Sequence, residues 1–201
     1  MHIPAPLNIA ILLFPDVEVL DFAGPFEVFS VAARLHARTH GAAPFTVFTV
    51  SADSGMVRAR HGLQVQAEAS FGQHPAINIL IVPGGVVTQP LADPATLAWV
   101  AEQSAAAQIT ASVCTGAFIL AAAGLVGSLP VTTHWEDIGD LRRSFPGITV
   151  LEEVPWVDNG KLVSSAGISA GIGMSLHLVE RLLGQPAAIA TARQMQYDWL
   201  P

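Results

Sequence analysis

The stretch Ile109-Thr-Ala-Ser-Val-Cys-Thr-Gly-Ala-Phe-Ile-Leu-Ala-Ala-Ala123 joins an apolar strand directly to an alanine-rich helix. Its apolar first part predicts a buried strand over 109–113, and its alanine-rich second part predicts a helix over 116–123. Strands that are apolar on both faces belong to parallel sheets that helices cover on both sides. This stretch therefore indicates an α/β fold.

The same alternation of short apolar runs and longer helical patterns continues outwards in both directions. Further strands are predicted at Leu7–Phe14, Phe45–Val50, Ile77–Val82, Val131–Thr133, Ile148–Leu151 and Leu162–Ser165. Helices are predicted at Phe26–Leu35, at Pro94–Ala107 with Asp93 as N-cap, at Glu136–Phe145, and twice near the C-terminus. Because no repeat, low-complexity tract or linker interrupts the pattern, residues 1–201 are predicted to form a single domain.

The composition excludes several functional classes. Hydrophobic residues make up 51% of the chain and charged residues 12%, which is typical of a globular protein with a large core. A net charge of −7 without a basic cluster argues against a nucleic-acid partner. The apolar runs are too short to span a membrane, and the N-terminus lacks a signal-peptide pattern, so we expect a cytoplasmic protein. The single cysteine can form neither an internal disulfide nor a multi-cysteine zinc site, and we do not expect the seven histidines to form a metal site.

The single cysteine, Cys114, stands where a predicted strand turns into a helix. The backbone N–H groups of a first helical turn are unpaired, and together with the helix dipole they favour thiolate over thiol. Gly116 leaves room for a sharp turn, as in the nucleophile elbow of other α/β enzymes. The alternative is that Cys114 is a small buried hydrophobic residue, the usual fate of a lone cysteine.

Candidate partners for Cys114 follow neighbouring strands, because the carboxyl ends of parallel strands meet at one edge of the sheet. The segment 14–24 supplies three carboxylates, Asp16, Glu18 and Asp21, between which spacing alone does not choose. The N–H groups of Gly84 and Gly85 are candidates to bind a developing negative charge. His134 is a candidate at the same rim. Each of these residues also has a plain reading, as a helix cap, an ordinary turn or a structural histidine.

Several motifs together resemble the ThiJ/PfpI superfamily, in its isonitrile hydratase-like branch. They occur in the same order as in that branch: Ile11-Leu-Leu-Phe-Pro-Asp-Val-Glu-Val-Leu-Asp-Phe-Ala-Gly-Pro25, Ile81-Val-Pro-Gly-Gly85, Ser112-Val-Cys-Thr-Gly-Ala117, Ala123-Gly-Leu-Val-Gly127, Thr132-Thr-His-Trp135 and Ser165-Ala-Gly-Ile-Ser-Ala-Gly-Ile172. The resemblance implies a flavodoxin-like three-layer sandwich, with a mostly parallel sheet and helices on both faces. It also implies a homodimer and no cofactor.

The resemblance assigns roles to particular residues. Cys114 becomes the nucleophile, Thr115 its neighbour in the site and Asp21 the acidic partner, which leaves Asp16 and Glu18 as surface charges. The sequence departs from the family pattern at two positions. Thr115 replaces the histidine that follows the cysteine in peptidase and amidase members, which argues against those activities. Gly173 stands where the family usually has an aspartate.

The activity that the resemblance implies is hydration of an isonitrile to an N-substituted formamide through a thioimidate on Cys114. One alternative on the same fold is a cofactor-free glyoxalase or deglycase that acts on α-oxoaldehydes. Another is a non-catalytic small-molecule or redox sensor, since the same domain forms the sensor half of some AraC-type regulators. Those regulators continue into a helix-turn-helix region, whereas this sequence ends at Tyr197-Asp-Trp-Leu-Pro201.

Overall fold

The computed structural model describes residues 5–199. Its strands are β1 (Leu7–Leu12), β2 (Phe45–Ser51), β3 (Met56–Arg58), β4 (Gln64–Gln66), β5 (Ala69–Ser70), β6 (Ile79–Val82), β7 (Ile109–Val113), β8 (Pro130–Val131), β9 (Thr149–Val150), β10 (Trp156–Asp158) and β11 (Leu162–Ser165). Its α-helices are α1 (Val19–His40), α2 (Thr88–Ala92), α3 (Pro94–Ala106), α4 (Gly116–Ala122), α5 (Ile138–Ser144), α6 (Ala170–Leu183) and α7 (Gln185–Gln194). Short 3-10 helices occupy Arg60–Gly62 and Trp135–Asp137.

Within this part of the chain, seven strands form one sheet in the order β10-β11-β7-β6-β1-β2-β5. Neighbouring strands run parallel except at one edge, where β10 pairs antiparallel with β11. Helices α1, α6 and α7 pack together on one face, and α2, α3 and α4 pack together on the other. The predicted three-layer, mostly parallel α/β sandwich is therefore confirmed. No helix among residues 5–199 is both long and apolar enough to cross a membrane.

The three central strands β1, β6 and β7 provide the rigid frame of the site. β6 and β7 are buried along their whole length, and β1 is buried from its third residue onwards. Full burial of an aliphatic side chain contributes about 1.5–3 kcal/mol, so these strands hold their carboxyl ends firmly in register. Those ends lead into the segments 13–18, 83–87 and 114–115, which meet at one edge of the sheet.

Helix α1 is longer than predicted. It begins at Val19, whereas the helical spacing of the sequence predicted a start at Phe26. Pro25 caused the error, because proline has no N–H to donate to the carbonyl of Asp21 and usually marks the start of a helix. Asp21 therefore lies in the first turn of α1 and not in a loop, and its position is fixed by the helix.

Candidate active site

Cys114 follows β7 in a conformation that few residues adopt. Its φ is 56°, in the left-handed region, which costs a non-glycine residue about 1–3 kcal/mol. Its N–H lies 3.3 Å from the carbonyl oxygens of both Ser165 and Ala166, and its own carbonyl accepts a 2.8 Å hydrogen bond from Thr133 Oγ1. These contacts from neighbouring loops hold the turn, which has the geometry of a nucleophile elbow.

Gly116 allows this turn to lie against the end of β6. A Cβ atom added to Gly116 would lie 2.1 Å from the carbonyl oxygen of Val82, so no other residue fits. The prediction that Gly116 leaves room for the turn is confirmed, and the reason is this close approach of two backbone segments.

The backbone N–H groups of Thr115 and Ile168 lie near the sulfur of Cys114 and act to lower the pKa of its thiol. Burial has a larger effect in the opposite direction, and the charge of Asp21 adds to it, so the pKa of the thiol rises to about 12. The expectation of a resting thiolate was therefore wrong. The sequence shows the N–H donors at the start of a helix, but it does not show that Cys114 is only 7% exposed.

Asp21 lies beside the Cys114 thiol and is fully buried. Its Oδ2 accepts a 3.0 Å hydrogen bond from the N–H of Gly84, while Oδ1 has no hydrogen-bond partner among the described residues. Burial raises the pKa of Asp21 from 3.8 to about 7, although the Gly84 N–H acts against this rise. A carboxyl group with such a pKa both accepts and donates a proton near neutral pH, as acid/base catalysis requires.

Gly84 and Gly85 support Asp21 and Thr115. A Cβ atom on Gly84 would lie 2.5 Å from Thr115 Oγ1 and 3.0 Å from Asp21 Oδ2, so the loop passes directly between these side chains. The N–H of Gly85 donates to Thr115 Oγ1 at 2.9 Å, and Thr115 Oγ1 donates to the carbonyl of Gly85 at 3.0 Å. Both glycine N–H groups are thus engaged within the protein, and in this structure neither is free to bind a substrate anion.

A cavity of about 470 Å³ opens above Cys114, and we call it the cysteine cavity. Its wall includes Glu18, Arg60, His61, Cys114, His134 and Ile168. Asp21 is absent from this wall. Among residues 5–199, no three histidine, cysteine, aspartate or glutamate side chains come together as possible ligands of a metal ion.

A model of the DJ-1/PfpI family matches residues 7–181 of the chain. The chain belongs to the DJ-1/PfpI family. It is 35% identical to an isonitrile hydratase of Pseudomonas putida over 97% of this chain and 80% of that protein. The crystal structure of a ThiJ/PfpI family protein from Pseudomonas syringae superposes with a TM-score of 0.85 at 28% identity, covering 98% of this chain and 77% of that one.

Regulators also occur among the relatives of this DJ-1/PfpI protein. The HTH-type transcriptional regulator GbdR of Pseudomonas aeruginosa is 28% identical over 96% of this chain. The match covers 51% of the regulator, so the chain spans about half the length of that protein. Membership in the family therefore fixes the fold and leaves both enzymes and regulators among its relatives.

Asp16 and Glu18, the two carboxylates that the resemblance leaves as surface charges, lie in different surroundings. Asp16 is exposed, as the resemblance implied. Glu18 is not a free surface charge, because it lines the cysteine cavity and forms a 3.0 Å ion pair with Arg60. Arg60 escaped prediction since it reaches the site from the small β3–β4 excursion, which is far from Cys114 in the sequence.

His134 lies at the rim of the cysteine cavity, where the sequence predicted it. Its Nδ1 lies 3.4 Å from Asp137 Oδ2 and 3.4 Å from the N–H of Glu136. A Cβ atom added to Gly167 would lie 1.9 Å from Cδ2 of His134, so the imidazole ring packs directly against this glycine. The histidine is therefore held in place, and its role towards a substrate stays a prediction.

Three aromatic residues, Phe22, Trp135 and Trp156, do not line the cysteine cavity. Phe22 belongs to the core, and Trp135 is 75% exposed. Trp156 lies over Gly173, where an added Cβ atom would be 3.2 Å from the indole ring. Gly173 thus contributes to the packing of α6 against β10, and it does not line the cysteine cavity.

Proposed function

We propose that this protein hydrates isonitriles to N-substituted formamides. The observation that carries the proposal is a cysteine in a strained turn, open to a cavity, with a protonatable carboxyl group buried directly behind its sulfur. An isonitrile carbon must gain both a nucleophile and a proton, and this pair supplies both. The similarity to the isonitrile hydratase of Pseudomonas putida supports the same assignment.

In the first step, Cys114 adds to the terminal carbon of the isonitrile. Asp21 takes the proton from the thiol as the S–C bond forms, and it returns this proton to the same carbon, which gives the thioimidate S–CH=N–R. Asp21 is fully buried beside the sulfur, so the carbon bonded to that sulfur is the substrate atom nearest to it. The N–H groups of Thr115 and Ile168 stabilise the charge that develops on sulfur during the attack.

In the second step, water enters from the cysteine cavity and adds to the thioimidate carbon. One water proton goes to the nitrogen, and the hydroxyl group stays on the carbon. The S–C bond then breaks, the hydroxyl proton passes through Asp21 to the sulfur, and the products are the formamide and the free thiol. His134 lies in the wall of this cavity, and we expect it to orient the water molecule.

The direct test is formamide production from a panel of alkyl and aryl isonitriles, followed by chromatography. We expect turnover by the wild-type protein and none by the Cys114→Ala variant. Leu129→Ala, which changes an exposed side chain outside the cysteine cavity, should keep full activity. Absence of turnover on every member of the panel, with a folded protein, would remove the hydratase proposal.

A sensor function is the second candidate, because regulators of about twice this length are similar to the whole chain. A sensor binds its ligand without consuming it. Calorimetry on the wild type and on Asp21→Asn separates the two functions. If the protein is an enzyme, Asp21→Asn loses turnover. If it is a sensor, Asp21→Asn binds the ligand as tightly as the wild type does, and neither protein releases a product.

A further inference from the structure

A second cavity adjoins the cysteine cavity, and we call it the side groove. It has a volume of about 400 Å³, and both volumes lie in the range of about 300–1,000 Å³ that is typical of small-molecule sites. The two cavities share four wall residues: Gly85, Val86, Thr115 and Asp137. Because Thr115 follows the nucleophile directly, the side groove begins next to the reacting sulfur.

Part of the wall of the side groove is apolar. Val87 and Leu91 are half-buried and face it from the segment around α2, and Phe118 faces it from α4. The ring of Phe118 is buried and packs edge-on against Phe145, with 6.4 Å between the ring centroids. These side chains are therefore a preformed apolar surface and not a patch that collapses in the absence of a ligand.

The charges around the side groove disfavour an anion. Asp137 and Asp140 both lie in its wall. The described wall residues include one cationic side chain, that of Arg143, and it forms an ion pair with Asp140. A negatively charged group in the groove would therefore meet two carboxylates and a guanidinium that already has a partner.

We propose that the side groove binds the substituent R of the isonitrile, and that R is an uncharged, largely apolar group. This inference rests on the proposed function and adds to it a substrate class and the residues that select it. With the terminal carbon on Cys114, R extends over Gly85 and Thr115 towards Leu91 and Phe118. Leu91 and Val87 then determine how long a substituent the site accepts.

Alkylation of the thiol tests the groove without relying on hydratase activity. The chain has a single cysteine, so an N-alkyl maleimide modifies Cys114 alone, as sulfur adds to the C=C bond and the thiol proton ends on the neighbouring carbon. We expect the rate to rise from N-methyl to N-hexyl maleimide, relative to the same series on a small free thiol. Burial of a CH₂ group contributes ~0.8 kcal/mol, so the rise should approach about fourfold for each fully buried CH₂.

Substitution of the groove residues should abolish this preference. Leu91→Trp fills the groove and should make the rate nearly independent of chain length. Val87→Phe is an independent second variant in case Leu91→Trp fails to fold. Leu129→Trp, at an exposed position outside both cavities, is the matched control and should behave like the wild type. An unchanged chain-length preference in a folded groove variant would overturn the proposal.

The same variants are then assayed with a series of n-alkyl isonitriles. We expect kcat/KM to rise with chain length in the wild type and to stay flat in Leu91→Trp. If no isonitrile is turned over but the maleimide series shows the preference, the hydratase proposal fails and the groove stands. If isonitriles are turned over with the same chain-length dependence in both proteins, the hydratase proposal stands and the groove assignment fails.

Discussion

Two aspartates of this protein lie in opposite environments. Asp21 is buried behind Cys114, with one hydrogen bond to Oδ2 and none to Oδ1 among the described residues. Asp158, on the edge strand β10, is surrounded by partners. It accepts a bond of 2.7 Å from the N–H of Gly160, lies 2.7 Å from His177 Nε2, and receives 2.9 and 3.0 Å bonds from Arg181.

The pKa values of the two carboxyl groups shift in opposite directions for these reasons. Burial raises the pKa of Asp21 to about 7. Burial also acts to raise the pKa of Asp158, but the contacts with His177, Gly160 and Arg181 together outweigh it and lower the pKa. The fold is stabilised by the ionised Asp158, whereas it is destabilised by the ionised Asp21. An unfavourable group retained beside a strained cysteine is typical of a functional site, not of a structural one.

The largest expected effect separates the two aspartates by activity. Asp21→Asn should lower kcat/KM for isonitriles by at least about 100-fold, the lower bound for the loss of an acid/base group. Asp158→Asn is the matched control on the edge strand β10, outside the candidate site, and should leave kcat/KM unchanged. Steady-state kinetics on both variants provides the measurement. Full turnover by Asp21→Asn would show that another group moves the proton.

The free energy of unfolding should fall in Asp158→Asn and rise in Asp21→Asn. Asp158→Asn removes the charge from several hydrogen bonds at a partly exposed site, and we expect a loss of about 1–2 kcal/mol in the free energy of unfolding. Asp21→Asn should increase the stability at pH 8, because it removes a buried charge. Urea denaturation monitored by circular dichroism measures both. A loss of stability in both variants would mean that Asp21 is a structural residue.

Thr115 tests whether the contacts around Asp21 matter for activity. Its hydroxyl group both accepts from and donates to the backbone of Gly85. It therefore positions the loop after β6, in which the N–H of Gly84 donates to Asp21. Thr115→Val removes both bonds at almost constant volume and should lower kcat by about tenfold, equivalent to about 1.4 kcal/mol, whereas Thr115→Ser should restore most of it. If Val and Ser variants are equally active, the hydroxyl group has no positioning role.

The pH dependence of stability should also differ between the two aspartates. A raised pKa in the folded state gives stability that is present below the unfolded value of 3.8 and is lost as the pH rises to about 7. The gain in stability from Asp21→Asn should therefore grow between pH 4 and about pH 7 and then level off. The lowered pKa of Asp158 gives stability that is present above 3.8 and is lost as the pH falls further. Denaturation curves that gave a pH-independent difference for Asp21→Asn would contradict the raised pKa.

The sequence predicted the parts of the fold that local patterns determine. The turn from β7 to α4 at Cys114 and the cap of α3 by Asp93 were predicted, and Asp93 accepts from the N–H groups of Ala95 and Thr96. The start of α1 was missed because Pro25 lies inside the helix. The edge strand β10 was missed since three residues are too few to show an alternating pattern.

Parts of the site that depend on tertiary contacts were beyond prediction from the sequence. The N–H of Ile168 reaches the sulfur from the loop after β11, and Arg60 reaches the cysteine cavity from the 3-10 helix between β3 and β4. Neither position carries a local signal for these contacts. The pKa of Cys114 depends on burial, which outweighs the N–H donors that sequence reasoning identified. Local chemistry was therefore predictable, whereas the net protonation state was not.

The most direct test of covalent catalysis is the mass of the intact protein after rapid acid quenching with an isonitrile. Addition of the thiol keeps every atom of both partners, so we predict a transient mass increase equal to the whole isonitrile. The adduct should be located on Cys114 and should be absent from Cys114→Ser. Formamide production without any adduct, and with activity retained in Cys114→Ser, would contradict the role of Cys114 as nucleophile.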